Sequence, residues 1–138
     1  MKYKNTVEGI ESSQLQGFFA GWPNPPSPEI HLQLLKQSTK RIIAIEESSN
    51  QVVGFITAIS DTILSAYIPF LEVLPSYQNK GIGKRLVRMM LDELDGIYMI
   101  DLMCDKELQP YYQHFGMIKA NGMIVRNYSA QAGKQELK

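Results

Sequence analysis

One stretch decides the fold of this chain: Leu71-Glu72-Val73-Leu74-Pro75-Ser76-Tyr77-Gln78-Asn79-Lys80-Gly81-Ile82-Gly83-Lys84-Arg85-Leu86. Its first four residues are largely apolar and are followed by Pro75, which predicts the end of a strand. Residues 76–80 are polar turn residues. Gly81 and Gly83 then bracket one apolar residue before a helical pattern begins. The stretch therefore predicts a strand, a turn, a glycine loop and a helix in direct succession.

The helix prediction rests on the spacing of apolar residues. Val87, Met90, Leu91 and Leu94 recur at i, i+3, i+4 and i+7, which places them on one face of a helix. Gly96 follows the last turn, where the end of a helix favours a residue that tolerates positive φ. The pattern therefore predicts an amphipathic helix that begins just after the glycine loop.

Two glycines at the start of a helix favour the binding of an anion. The N–H groups of the first turn have no intrahelical partner, and the helix dipole adds partial positive charge at the same place. Glycine lets an anion approach those N–H groups because it has no Cβ. Lys80, Lys84 and Arg85 strengthen the local positive field. The residues predict a site for a phosphate or pyrophosphate.

The loop lacks the features of two common phosphate-binding motifs. The pattern G-x-x-x-x-G-K-[ST] is missing, and a dinucleotide fingerprint needs glycine where Leu86 stands. Instead, Gln78-x-x-Gly81-x-Gly83 after an apolar strand and a proline resembles the acetyl-CoA loop of the GCN5-related N-acetyltransferase (GNAT) family. The alternative is an ordinary loop in which the glycines serve only the geometry of a turn.

Length and composition limit the possible classes of protein. The 138 residues predict one domain over 1–138, with a core at about 3–127 and a polar tail at 128–138. Lys plus Arg and Asp plus Glu number 14 each, so no basic excess indicates nucleic acid or a membrane surface. A single cysteine, Cys104, and two histidines argue against a disulfide framework and a structural zinc site. No apolar run is long enough to span a bilayer, and we expect a cytoplasmic protein.

The rest of the chain carries further periodic segments. Strands are predicted within 1–9 and over 41–46, 52–59, 63–74 and 97–104, helices over 11–20, 28–38 and 111–114, and a final hairpin from 117–119 and 123–126. Pro69 inside the long segment 63–74 predicts an edge or a bulge. Residues 97–104 are nearly all apolar, which predicts a strand covered on both faces. The helix before it makes a strand–helix–strand unit and hence a parallel pair.

This order of elements resembles the GNAT fold over roughly residues 3–127. The resemblance implies an α/β (mixed α+β) fold with a largely antiparallel, mixed sheet and helices on both faces. In that fold a central parallel pair of strands is splayed around the acetyl-CoA site. We expect this architecture here.

A second segment carries the resemblance further. Pro110-Tyr111-Tyr112-Gln113-His114-Phe115-Gly116-Met117 resembles a tyrosine-containing segment of the family. Tyr112 falls on the tyrosine that protonates the departing CoA thiolate in many members. His114 and Met117 depart from the usual lysine and phenylalanine. Asp105 stands where many members have an asparagine that contacts the cofactor.

The resemblance also implies which residues contact acetyl-CoA. The expected contacts are Val73, Leu74, Gln78, Asn79, Lys80, Gly81, Ile82, Gly83, Lys84, Arg85 and Asp105. Asp105 is included by its position, although an aspartate stands there in place of the usual asparagine. An exposed strand N–H near Val73 or Leu74 would donate to the oxygen that gains charge during acyl transfer. Direct transfer needs no nucleophilic cysteine and no metal, and Cys104 fits a small apolar core residue.

The sequence says less about the residues that contact the amine, which receives the acetyl group. Glu72 lies in an apolar strand just before the glycine loop, and we expect it to act as the base that accepts a proton from the amine. Recognition of the amine by charge and a purely structural contact are the alternatives. Trp22, in a proline-rich connection, and Asp61, in a turn, are candidate substrate contacts. Trp22 could equally anchor its loop on the core.

The function that follows is acetyl-CoA-dependent transfer of an acetyl group directly to a primary amine of a small molecule or peptide. The alternative is a non-catalytic acyl-CoA-binding sensor or regulatory module, for which the glycine loop alone would suffice. A nucleotide-binding domain of another fold is disfavoured by the missing motifs. Dimers are frequent in the family, so a homodimer is a further expectation.

Overall fold

The computed structural model describes residues 1–133. Five strands form one sheet in the order β1 (Lys2–Lys4), β2 (Lys40–Glu46), β3 (Gln51–Ser60), β4 (Ser65–Val73), β5 (Met99–Leu102), and three helices accompany it, α1 (Pro28–Gln37), α2 (Ile82–Glu93) and α3 (Gln109–Gln113). The first four strands pair antiparallel, and β5 pairs parallel to β4 at the edge of the sheet. The predicted mixed, largely antiparallel sheet with one parallel pair is confirmed.

Helix α2 covers one face of the sheet, against β2, β3 and β4. It begins at Ile82, as the glycine loop predicts, and its apolar face is buried. At Gly54 of β3 a Cβ would lie 3.2 Å from the Leu86 side chain and 3.3 Å from that of Ile82. The helix therefore approaches the sheet at a position that holds no side chain, and this brings its N-terminus close to the end of β4.

Helix α1 packs against the opposite face. Ser27 caps it, because its Oγ accepts the N–H of Ile30 at 3.2 Å, and Pro28 opens the first turn. The His31 ring on this helix lies 4.4 Å from the Phe55 ring, centroid to centroid, and is buried. The predicted cap and helix are confirmed, and helices lie on both faces.

The predicted irregularity at Pro69 is also confirmed. The register between β3 and β4 shifts between Thr57 and Ile59, opposite Pro69. Strand β4 pairs with β5 only from Ser65 to Ile68. Beyond Pro69 the two strands diverge, and a cleft opens between them.

The predicted helix over 11–20 is wrong. Only a short 3₁₀ turn forms there, at Ser12–Gln14. Gly17 and Phe19 have positive φ (91° and 61°), which no helix accommodates. Contacts far away in sequence hold this loop and override the local helical spacing.

The structure corrects two further predictions. Strand β5 is shorter than expected, and the side chains of Met99 and Asp101 on one of its faces are exposed, so it is not covered on both faces. Residues 117–127 form no strand, so the predicted hairpin is wrong. Of the predicted tail, residues 134–138 lie outside the described residues. Among residues 1–133, no helix combines the length and the hydropathy needed to cross a membrane.

Candidate active site

The cleft between the diverging strands has a volume of about 640 Å³. Its walls come from the second half of β4, the chain after β5, the loop at 19–22 and helix α3. Six of the residues expected from the sequence line it together: Trp22, Glu72, Val73, Gln78, Asp105 and Tyr112. Four separate segments therefore bring the predicted catalytic, cofactor and acceptor groups to one place.

The start of α2 offers free backbone donors beside this cleft. The first intrahelical hydrogen bond runs from the Arg85 N–H to the Gly81 oxygen at 3.1 Å, so the N–H groups of Ile82, Gly83 and Lys84 precede it. No side chain caps this end, and no acidic residue lies in the first turn. Gly81 has φ 85° and open space where a Cβ would stand. The geometry fits a bound phosphate group.

The three cationic side chains of the loop are exposed, and two of them lie over aromatic rings. Lys80 Nζ lies 5.4 Å from the centre of the Tyr77 ring, and the Arg85 guanidinium lies 5.1 Å from that of Tyr3. Lys84 is exposed on the first turn. In the described residues, the only salt bridges join the N-terminus to Glu47 and Lys40 to Glu93. The three cations of the loop therefore keep their charge available to an anion.

The turn that leads into the helix is fixed by Gln78 and Asn79. The Gln78 side-chain amide donates to the Val73 oxygen at 3.0 Å. Asn79 has φ 63°, a conformation that asparagine tolerates better than most residues. Gln78 therefore ties the loop back to the end of β4.

The backbone at the end of β4 distinguishes Val73 from Leu74. The Leu74 N–H donates to the Val53 oxygen at 2.9 Å and is therefore used by β3. Successive N–H groups of an antiparallel strand point in opposite directions. The N–H of Val73 consequently faces the cleft, where it can donate to a ligand.

The two adjacent tyrosines of α3 point to different places. A Cβ at Gly83 would lie 3.1 Å from Tyr111 Oη, so that hydroxyl packs against the start of α2. The Tyr112 side chain lines the cleft. Burial raises the pKa of Tyr112 to about 12, and the neighbouring Tyr111 and Cys104 add to the shift. The Tyr112 hydroxyl is therefore protonated at neutral pH. The sequence did not indicate the contact between Tyr111 and Gly83.

The carboxylate of Glu72 holds the loop at 19–22, which forms one wall of the cleft. It accepts the N–H of Phe19 at 2.9 Å and that of Ala20 at 3.3 Å. A carboxylate has about four lone-pair positions, so two remain for a ligand in the cleft. Glu72 therefore has both a structural contact and unused capacity to accept a proton.

Three aromatic side chains, those of Phe19, Trp22 and Phe70, line the cleft on the side of this loop. Trp22 packs on Phe19 with ring centres 4.9 Å apart and lies 6.4 Å from Phe70, and it stays 38% exposed. It both anchors its loop and lines the cleft. Phe70 was missed in the sequence, although it shares a face of β4 with Glu72 two residues on.

The two remaining aspartates differ in position. Asp105 is exposed at the cleft, before a short 3₁₀ turn. Asp61 is not among the residues that line the cleft. Its Oδ1 accepts the N–H groups of Ile63, Leu64 and Ser65 at 2.8–3.1 Å, and these bonds hold the pKa of its carboxyl well below the usual range. Asp61 closes the turn between β3 and β4.

Known proteins are similar to this chain in sequence and in fold. The sequence model of the Acetyltransferase (GNAT) family matches residues 7–117. The crystal structure of a candidate acetyltransferase from Deinococcus radiodurans R1 is 42% identical, with a TM-score of 0.94 over 98% of this chain and 94% of that one. A GNAT-family acetyltransferase from Streptococcus pneumoniae TIGR4 is 27% identical, with a TM-score of 0.73 over 91% and 97% of the two chains.

A plastid relative matches less of its own length. The protein named GCN5-related N-acetyltransferase 1, chloroplastic, from Arabidopsis thaliana is 29% identical over 120 residues, which are 83% of this chain. The chain spans 60% of the length of that relative and 56% of a second, an N-acetyltransferase named ycf52 from Gracilaria tenuistipitata. The family model covers far more than half of the chain, and the chain belongs to the GNAT acetyltransferase family.

Proposed function

We propose that this protein transfers the acetyl group of acetyl-CoA directly to a primary amine of a small molecule or peptide. The observation that carries the proposal is the common cleft. A protonated phenol (Tyr112), a free backbone N–H (Val73) and a carboxylate (Glu72) line it together, beside an uncapped helix N-terminus. Acyl transfer to an amine requires a proton donor for the leaving group, a hydrogen-bond donor for the oxyanion and a base for the amine, and these three groups can supply them.

The groups at the start of α2 would hold the phosphates of the co-substrate. The N–H groups of Ile82, Gly83 and Lys84 supply donors, and the cationic side chains of Lys80, Lys84 and Arg85 supply charge. Asn79 (φ 63°) and Gly81 (φ 85°) have left-handed backbone conformations in this loop. Acetyl-CoA supplies the activated acyl group. Asp105, across the cleft, is the remaining proposed contact.

Tyr112 and Val73 would serve the reacting end. The Val73 N–H can donate to the carbonyl oxygen as it gains negative charge, whereas that of Leu74 is already used. The Tyr112 hydroxyl keeps its proton at neutral pH and can donate it to the leaving sulfur. Both groups are protein donors that need no metal.

Glu72 would serve the acceptor. Its negative charge attracts an ammonium group, and its unused lone pairs can receive the proton that the amine must lose. The rings of Phe19, Trp22 and Phe70 would line the path of the amine. Asp61 has no part in this proposal, because its carboxylate is engaged in a turn.

The test is calorimetry with acetyl-CoA together with CoA release over a panel of amines. Saturable binding and amine-dependent release of CoA support the proposal. Binding without release on any amine would favour the alternative, a non-catalytic acyl-CoA sensor, which needs only the loop and the helix. Absence of binding would contradict both.

Two wider expectations from the sequence stay predictions. A cytoplasmic location is one of them, and the Arabidopsis relative is named chloroplastic. The other is a homodimer.

A further inference from the structure

Trp22 lies at the start of a connection that has few hydrogen bonds of its own. This proline-rich connection, residues 22–28, contains four prolines, which have no N–H to donate. At its first end the Trp22 N–H donates to the Phe19 oxygen at 3.1 Å, and at its other end Ser27 caps helix α1. The middle of the connection therefore depends on contacts that other segments supply.

Close packing does not fix the middle of the connection either. A cavity of about 410 Å³ adjoins it, lined by Pro25 and Pro26 together with the buried side chains of Leu15, Phe18 and His31. Side chains in a folded protein are normally held by neighbours that leave no space of this size. The two prolines therefore have room to move unless another group restrains them.

The polar segment at 128–133 provides such a restraint. The Asn24 N–H donates to Gln131 Oε1 at 2.9 Å, across 107 positions of sequence. Ala132 lines the same cavity as the prolines. Residues 130–132 are half-buried against the fold, although the sequence predicts only a polar tail here. Gln131 therefore joins this segment to the middle of the proline-rich connection.

Gly133 holds the segment on helix α1. It has φ 79°, and a Cβ at this position would lie 2.7 Å from Ile30 Cγ2, closer than a side chain permits. Only glycine allows the segment to approach the helix this closely. The contacts at Gly133 and Gln131 therefore tie the segment both to α1 and to the connection that precedes α1.

We propose that Gln131 is a positioning residue for Trp22 and thereby for the wall of the cleft that receives the amine. Its side-chain oxygen holds Asn24, and Pro23, whose φ is fixed, passes that position on to Trp22. The Trp22 ring then stays on the Phe19 ring, at 4.9 Å between their centres. The inference rests on the acetyltransferase proposal and deepens it, because it names a residue that governs binding of the amine without touching the amine.

The contact lies outside the part of the chain that defines the family. The family model matches residues 7–117, so it does not include the segment at 128–133. In the described part of the chain, neither Asn24 nor Gln131 is among the residues that line the cleft. Both are also separate from the glycine loop that would bind acetyl-CoA. Loss of the contact should therefore weaken binding of the amine and leave binding of acetyl-CoA unchanged.

Trp22 is the single tryptophan of the chain, so its fluorescence reports directly on the position of this wall. Gln131→Leu keeps the approximate size of the side chain and removes the oxygen. It should make Trp22 more accessible to quenching by acrylamide and shift its emission to longer wavelength. Gln131→Glu keeps an acceptor oxygen and should retain the wild-type quenching. Gln33→Leu, at an exposed glutamine of α1, is the matched control and should also behave as wild type.

Steady-state kinetics test the consequence for the amine. In Gln131→Leu, KM for the amine should rise about fivefold, the effect of losing one hydrogen bond, while KM for acetyl-CoA keeps its wild-type value. Gly133→Ala forces the segment away from Ile30 and should have the same effect through a different residue. Gln131→Glu should keep the wild-type KM for the amine. Circular dichroism of each variant separates displacement of the segment from unfolding.

Three results would overturn the proposal: unchanged quenching of Trp22 in Gln131→Leu, an equal rise in both KM values, or failure of Gln131→Glu to keep the wild-type values. A wild type that releases no CoA with any amine would instead contradict the acetyltransferase proposal. The quenching measurement needs no turnover, so it would still decide whether Gln131 holds Trp22 in place.

Discussion

The carboxylate of Glu72 accepts the backbone N–H of Phe19 at 2.9 Å, across 53 positions of sequence. The bond joins the strand that carries the proposed base to the loop that carries Trp22. Two walls of the cleft, β4 and the loop at 19–22, are therefore fixed to each other through one side chain. A change at Glu72 acts on both the chemistry and the shape of the cleft.

Substitutions at Glu72 separate these two contributions. Glu72→Gln keeps an oxygen for the loop but removes the charge, and we expect kcat to fall about 10²-fold with little change in KM for acetyl-CoA. Glu72→Ala also releases the loop, so KM for the amine should rise as well. Steady-state kinetics with both substrates measure the difference. Equal kcat for Glu72→Gln and the wild type would remove the base role and leave the structural contact.

Tyr112→Phe removes the proposed proton donor and little else. We expect kcat to fall about 10²-fold, because general acid catalysis contributes that much or more. Its pKa of about 12 implies no loss of activity through its ionisation at pH values well below 12. Tyr128→Phe, at an exposed tyrosine outside the cleft, is the control and should behave as wild type. A pH–rate profile and kcat for the three proteins check this prediction.

Gly83→Ala tests the contact between α2 and α3. The new Cβ would meet Tyr111 Oη at 3.1 Å, so the Tyr111 side chain must move by a few tenths of an ångström. We expect weaker acetyl-CoA binding by calorimetry. Adding Tyr111→Phe removes the hydroxyl and should restore most of the affinity. A double variant as weak as Gly83→Ala alone would mean that the loss comes from the backbone at the helix start.

His31 makes the stability depend on pH. Its ring is buried among Phe18, Phe19 and Phe55 without a hydrogen-bond partner in the described residues, and burial lowers its pKa to about 4. The unfolded chain therefore binds this proton first as the pH falls. Stability is retained above the unfolded value of 6.5 and is lost progressively between 6.5 and about 4, by up to ~3 kcal/mol.

Urea titrations at pH 7 and pH 4.5 measure that loss. His31→Leu is the comparison, because it keeps the side chain apolar and cannot take up a proton. The difference in unfolding free energy between the two pH values should be smaller for His31→Leu than for the wild type. The same pH dependence in both proteins would assign the effect to other groups.

Asp61→Ala should lower the melting temperature and leave the kinetics unchanged. The substitution removes the acceptor for three backbone N–H groups of the turn before β4. The residue does not line the cleft, so KM for the amine should match that of the wild type. A rise in that KM at unchanged melting temperature would instead give Asp61 a role in substrate binding.

Local signals in the sequence were enough for several elements of the fold. The glycine loop before α2, the cap of Ser27 and the break at Pro69 each depend on the conformational preferences of residues a few positions apart. Such preferences act in any surroundings, and the order of the elements then indicated the fold. The same signals indicated Gln78 and Tyr112 through a resemblance carried by short motifs, and Glu72 through its place in an apolar strand just before the glycine loop.

Only the tertiary structure decided the features that depend on contacts with residues far along the chain. The spacing at 11–20 favours a helix, but Glu72 and the positive φ values of Gly17 and Phe19 hold a loop there. Two short segments separated by Asn121-Gly122 favour a hairpin, but a strand forms only where another strand offers hydrogen bonds, and residues 117–127 pair with no strand in the part of the chain that the structure describes. Likewise, only the pairing of β3 with β4 showed that the N–H of Val73, and not that of Leu74, is free. Backbone preferences are local, whereas hydrogen-bond partners and buried surfaces are supplied by residues far along the chain.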